Sequence, residues 1–110
     1  MSARMIIQAM NSDTFRLQFT TPDGDCILEC EPRDSKSKAI ADAETLRRGV
    51  LEDGRYAVQR NAQGHFAFTF LGESGESIGM SSLFPTPEGL GKAIAVLKQM
   101  APMAVLVDNT

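Results

Sequence analysis

Large apolar residues occupy every second position in two short stretches, residues 15–20 (FRLQFT) and residues 66–71 (FAFTFL). This period of two indicates a β-strand with one buried face and one wet face. A shift of 51 positions carries the first stretch onto the second without a gap and also brings Gly24 onto Gly75. The chain is therefore predicted to contain two tandem copies of one small unit.

Each copy continues into a segment with helical periodicity. Ser35 and Thr86 are favourable N-caps, Pro87 suits the first helical position, and Gly49 is a favourable stop. The apolar stripe of the first helix recurs in the second at the same 51-residue offset. Its members are Ala39, Ala43, Leu46 and Val50, followed by Leu90, Ile94, Leu97 and Ala101.

The predicted order of elements is three strands and a helix, the same again, and a last strand at residues 104–107. Strands joined by tight turns predict antiparallel pairing, and the helices should cover one face of the sheet. The fold class is therefore α+β, with tandem β3-α-β units in one continuous antiparallel sheet. Because a unit of about 50 residues buries too little surface alone, both should share a core. We expect a single domain over residues 1–110, with repeat 1 at about 5–54 and repeat 2 at about 55–108.

The facing of the third strand, residues 26–31, is ambiguous from its pattern. Alternation puts Cys26, Leu28 and Cys30 on one face and Ile27 on the other. Since the repeat aligns Ile27 with Ile78, we expect Ile27 to point inward. Strict alternation would then place the two cysteines and Leu28 on the outer face.

The overall charge argues against general nucleic-acid binding. The formal net charge is −3 and the isoelectric point is about 5.0, whereas nucleic-acid binding normally uses a cationic face. No apolar run has the length of a signal peptide or of a membrane-spanning helix. Two cysteines four positions apart in one strand are too distant for a disulfide. Free thiols suit a reducing compartment, so we expect a cytoplasmic protein without a membrane partner.

The sequence lacks a convergent catalytic set. His65 is the single histidine and follows a turn glycine, and Tyr56 lies in a strand where packing explains it. Cys26, Cys30 and His65 supply at most three zinc ligands, and a structural site needs four. We therefore predict no catalytic residues, no metal and no cofactor. An enzymatic or redox role through Cys26 or Cys30 is the alternative, and it requires a lowered thiol pKa.

These residues resemble the YegP-like family of small uncharacterised bacterial proteins. The matching segments are Phe15-Arg16-Leu17, Gly24-Asp25, Ile27-Leu28, Glu31, Ser35-Lys36 and the alanine-rich helix from Ala39, and then Gly75-Glu76, Ile78-Gly79, Ser81 and Ala101-Pro102. The resemblance implies two β3-α-β units in one sheet with their C-terminal strands exchanged. It also implies a fused form of a homodimer, and it implies no established activity.

The best functional hypothesis is a small non-enzymatic binding or interaction module. The duplicated scaffold presents a polar sheet face without a catalytic set, or an unpaired sheet edge that could accept a strand. A second alternative is a weak nucleic-acid binder acting through Arg16 and the five cations around the first helix. These are Arg33, Lys36, Lys38, Arg47 and Arg48. The partner would be a protein or a small ligand, and the chain itself a monomeric pseudo-dimer. The candidate contact face consists of Gln8, Arg16, Gln18, Gln59 and Thr69.

Overall fold

The computed structural model describes residues 2–110, and Met1 lies outside the described residues. Strands and helices follow the predicted order. They are β1 (Arg4–Asn11), β2 (Thr14–Thr20), β3 (Cys26–Cys30), α1 (Lys36–Gly49), β4 (Tyr56–Arg60), β5 (Phe66–Leu71), β6 (Ser77–Ser81), α2 (Pro87–Met100) and β7 (Val105–Asn109). Short 3-10 turns at Asp53–Arg55 and Ala101–Met103 lead into β4 and β7.

All seven strands form one sheet, in the order β4-β5-β6-β3-β2-β1-β7. The prediction of a wholly antiparallel sheet is wrong at one edge, because β7 runs parallel to β1. The other five pairings are antiparallel. The chain crosses from β6 through α2 to the far edge of the sheet, and such a helical crossover can deliver a strand in the parallel sense. The strand also includes Asp108 and Asn109, beyond the predicted end at residue 107.

The core lies between the helices and one face of the sheet. Phe19, Phe68 and Phe70 are fully buried there together with Leu46 of α1 and Leu97 of α2. Each helix begins where its cap predicts, because Ser35 Oγ accepts from the N–H of Lys38 and Thr86 Oγ1 from that of Gly89. Both helices pack on the face of the sheet that carries Phe19, Phe68 and Phe70.

A β-bulge sets the facing of β3. Phe19 pairs with Leu28 and Thr20 with Cys26, so Ile27 is an extra residue opposite this step. Ile27 points into the core as predicted. The expectation that Leu28 and Cys30 would then face outward is wrong, because the bulge interrupts the alternation and both are buried.

The second half of the sheet has the same irregularity. Phe70 pairs with Gly79 and Leu71 with Ser77, which leaves Ile78 as the extra residue. Gly79 is required here, since an added Cβ would lie 2.7 Å from the carbonyl oxygen of Glu29. The strands β3 and β6 therefore approach each other closely at the middle of the sheet.

Candidate functional site

The face of the sheet opposite the helices, here called the outer face, carries the polar side chains of the sheet. Glu29 of β3 accepts hydrogen bonds through Oε2 from Arg16 Nη1 and from Gln18 Nε2, each at 3.0 Å. Gln8 of β1 pairs directly with Arg16 across the strands. These residues form one polar cluster over β1, β2 and β3.

A second polar contact lies on the other half of the outer face. Gln59 of β4 donates from Nε2 to Thr69 Oγ1 at 3.0 Å. The five predicted contact residues thus share a face but fall into two groups, with β3 and β6 between them. Sequence reasoning missed Glu29, the residue that joins Arg16 to Gln18, because its facing depends on the bulge in β3.

The middle of the outer face is formed by Glu29 and Met80, which are directly paired between β3 and β6. Met80 is 47% exposed although it is apolar. Arg16 reaches Glu29 from β2 through Nη1, and its Nε, like that of Arg47, is buried without a hydrogen-bond partner within residues 2–110. An exposed methionine among polar side chains is common on adaptable binding surfaces.

A shallow hollow lies on the second half of the outer face. Its volume is about 250 Å³, and it is bordered by Gln59, Arg60, Asn61, His65, Ala67, Met80 and Leu83. Ala67 and Met80 occupy the positions that Arg16 and Glu29 occupy 51 residues earlier. Because the alanine leaves space where the arginine lies in the first half, the outer face is asymmetric.

The thiols do not have the electrostatics of a reactive site. Burial, and secondarily the charge of Glu29, raises the pKa of Cys26. Burial, and secondarily Asp42, raises the pKa of Cys30 far above that of a free thiol. A nucleophilic or redox-active cysteine needs the opposite shift, so the alternative function through Cys26 or Cys30 finds no support in this geometry.

Most cations around the first helix are neutralised by carboxylates. Four of the five that the sequence suggested as a basic patch form ion pairs. The pairs are Arg33 with Asp42, Lys36 with Asp108, Lys38 with Asp34, and Arg47 with Glu44. A surface on which carboxylates occupy the cations is a poor phosphate site.

The residues with other candidate chemistry have structural surroundings. Tyr56 stacks edge-on against Phe68 and Phe70 and donates its hydroxyl hydrogen bond to the carbonyl of Val50, so the packing role is the observed one. The backbone N–H of His65 donates a hydrogen bond to Asn61 Oδ1 in the turn before β5. In the described part of the chain, no group of three or more histidine, cysteine or acidic side chains could hold a metal ion. The helices between residues 2 and 110 are too short and too polar to span a membrane.

Comparison with known proteins extends over the whole chain. It is 24% identical to a UPF0339 protein of Pseudomonas aeruginosa over 110 residues, which is all of both chains. It is 26% identical to a UPF0339 protein of Bordetella pertussis, covering 100% of this chain and 98% of that one. The solution structure of YegP from E. coli, a protein of unknown function, superimposes with a TM-score of 0.92 at 24% identity over 100% of this chain and 95% of that one. The predicted resemblance to the YegP-like family is confirmed.

The YegP-like fold is also found in a second solved structure. A UPF0339 protein of Shewanella oneidensis superimposes with a TM-score of 0.91 at 19% identity, covering 98% of this chain and 92% of that one. No family model matches the chain. At these identities the YegP-like structures establish the mixed α+β fold.

Proposed function

We propose that the protein is a small non-enzymatic binding module and that the outer face of its sheet is the contact surface. The observation that carries the proposal is the central pair of Glu29 and Met80. Glu29 accepts from Arg16 and from Gln18, and its partner Met80 is half exposed. A partner that brings a hydrogen-bond donor for Glu29 and an apolar group for Met80 would complete this surface.

The partner class is a protein or a small ligand. The shallow hollow beside Ala67 is smaller than a typical drug-sized pocket, which favours a protein surface with one projecting side chain. The polar residues on either side, Gln18 and Gln59, would then supply hydrogen bonds at the rim of the contact.

The same proposal includes a tandem duplication with exchanged C-terminal strands. Two observations support it: the bulges at Ile27 and Ile78 are 51 residues apart, and the central pair of Glu29 and Met80 has the same separation. A pseudo-twofold axis through that pair would relate the two halves. Pairing of β7, which follows α2, with β1 supports the exchange. We propose a monomeric pseudo-dimer in the cytoplasm, where the two free thiols would stay reduced.

Affinity capture from the native host, quantified by mass spectrometry, tests the contact surface. The double variant R16A/Q18A should lose a partner that the wild-type chain retains. The matched control R48A/Q99A removes an arginine and a glutamine from exposed positions on the helices and should retain it. Equal recovery of every protein by both variants would contradict a role for the outer face.

A further inference from the structure

The two ends of the sheet are not equivalent. β1 is flanked by β2 on one side and by β7 on the other, with five parallel residue pairs between β1 and β7, from Arg4 with Val105 to Gln8 with Asn109. β4 occupies the corresponding place in the second half of the sheet. In the sheet of residues 2–110 it has β5 on one side only. One outer edge is therefore covered by a strand, and its counterpart is open.

The open edge changes the burial of matching side chains. Ile7 of β1 is 1% exposed, whereas Val58, which lies 51 residues later in β4, is 58% exposed. Val58 pairs with the fully buried Phe68, so it projects from the helix-covered face of the sheet. An apolar residue on the core side of an edge strand is thus left in water where its counterpart is covered.

The β7 segment defines the geometry that would fill the vacant place. Leu106 lies beside Met5, and Asp108 lies beside Ile7, on the core side of the sheet. Shifted by 51 residues, the same register would put an occupant's side chains beside Tyr56 and Val58. The occupant would run parallel to β4 and use its unpaired backbone groups.

The helices indicate which kind of side chain would fit at the second of these positions, the one beside Val58. Asp108 pairs with Lys36 at the start of α1 at 3.0 Å. The position 51 residues after Lys36 is Pro87, which carries no charge. An acidic residue beside Val58 would therefore lack the cation that Asp108 finds at the start of α1, and the one charged residue of β4, Arg60, already lies over the ring of Phe66. An apolar side chain, which would cover the exposed valine, fits better.

We propose that the outer edge of β4 accepts an extended segment of a partner protein, which runs parallel to β4 with apolar side chains at two alternate positions facing Tyr56 and Val58. This inference rests on the proposed binding role but uses a different surface. The segment β4, YAVQR, contains no proline or lysine, and its one charged residue, Arg60, lies at the end of the strand over the ring of Phe66. Main-chain hydrogen bonds would supply the affinity and the two side chains the specificity.

A second copy of this chain fits the edge less well. A closed twofold pairing of β4 with itself makes the strands antiparallel, whereas β7 shows a parallel arrangement at the equivalent edge. Parallel addition of the free edge of β7 from another copy would leave the next β4 open and would build a filament. The partner segment is therefore assigned to a different protein.

A peptide titration followed by amide chemical shifts tests the proposal. The probe is a capped peptide with the sequence of residues 104–110, with valine in place of the aspartate at position 108. We expect saturable shifts concentrated in Tyr56–Arg60. A control peptide with lysine at its two core-facing positions should bind at least about tenfold more weakly, since each loses one buried aliphatic contact. Absence of saturable shifts, or shifts at β7 instead, would overturn the proposal.

Variants of the full chain separate this surface from the outer face. Val58→Lys should weaken the probe peptide by about tenfold or more, whereas V105K, at the edge formed by β7, should leave its affinity unchanged. R16A/Q18A should also leave it unchanged, so a failure of the outer-face proposal would not be mistaken for a failure of this one. A light-scattering mass of twice 11.9 kDa that V58K returns to the monomer value would show that a second copy fills the edge, against the proposal.

Discussion

The buried ion pair between Arg33 and Asp42 allows the equivalence of the two halves to be tested by energetics. Arg33 donates from Nε and Nη2 to the two carboxylate oxygens of Asp42, both at 2.8 Å. The positions 51 residues later hold Phe84 and Ala93. The backbone is alike at both places, because Arg33 exchanges two hydrogen bonds with Phe15 just as Phe84 does with Phe66. The double variant R33F/D42A therefore gives the first half the side chains of the second.

The expected magnitudes follow from the exposure of each partner. The Asp42 side chain is 5% exposed and the Arg33 side chain 30%. R33F alone leaves the buried carboxylate of Asp42 without its partner and should lower the free energy of unfolding by about 3–5 kcal/mol. D42A alone leaves a guanidinium that reaches water, so its cost should be about 1–2 kcal/mol. Without either charge, R33F/D42A should lie within about 1 kcal/mol of the wild type, which makes the coupling energy about 3 kcal/mol or more.

Urea denaturation of the four proteins at pH 7 measures this cycle. The slope of unfolding free energy against urea must agree among them for the comparison to hold. If the double variant loses as much stability as the two single variants combined, the phenylalanine and alanine found in the second half are not an adequate replacement. The structural equivalence of the two sites would then be refuted.

Three further results are expected. Burial, and secondarily the charge of Asp53, raises the pKa of Tyr56, so ultraviolet absorbance of this single tyrosine should titrate above pH 10 in the native protein and near 10 in urea. The contribution of Tyr56 to stability should be constant below pH 10 and decline above it, and a native midpoint at or below 10 would contradict the burial. A thiol reagent should modify Cys26 slowly and Cys30 only after unfolding. Rapid labelling of both cysteines in the folded protein would instead support an enzymatic or redox role for the thiols. Gly79→Ala should cost about 1–3 kcal/mol in urea unfolding, since its Cβ would meet the backbone of Glu29 and Cys30; unchanged stability would contradict the close approach of β3 and β6.

Local signals were sufficient to predict the elements and the core. The alternation in residues 15–20 and 66–71 identified the buried phenylalanines, because one side of each strand must leave water. The caps at Ser35 and Thr86 located the helix starts, because a capping hydroxyl acts within three residues of its own position.

Features that depend on pairing between distant segments were not predictable in the same way. The bulge at Ile27 is defined by the offset between β2 and β3, and a two-residue period cannot reveal it. The facing of Leu28 and Cys30 was therefore wrong, and the contact of Glu29 with Arg16 was missed. The parallel direction of β7 likewise depends on a distant pairing, because α2 carries the chain to the edge of the sheet beside β1.

Amide chemical-shift mapping with the captured partner tests the binding function most directly. The ¹⁵N-labelled full chain would be titrated with the partner that the wild type retains and R16A/Q18A loses. A contact through the outer face predicts perturbed amides around Arg16, Gln18 and Met80, extending toward Gln59 and Thr69. Perturbations confined to α1 and α2 would contradict the assignment of the outer face as the contact surface.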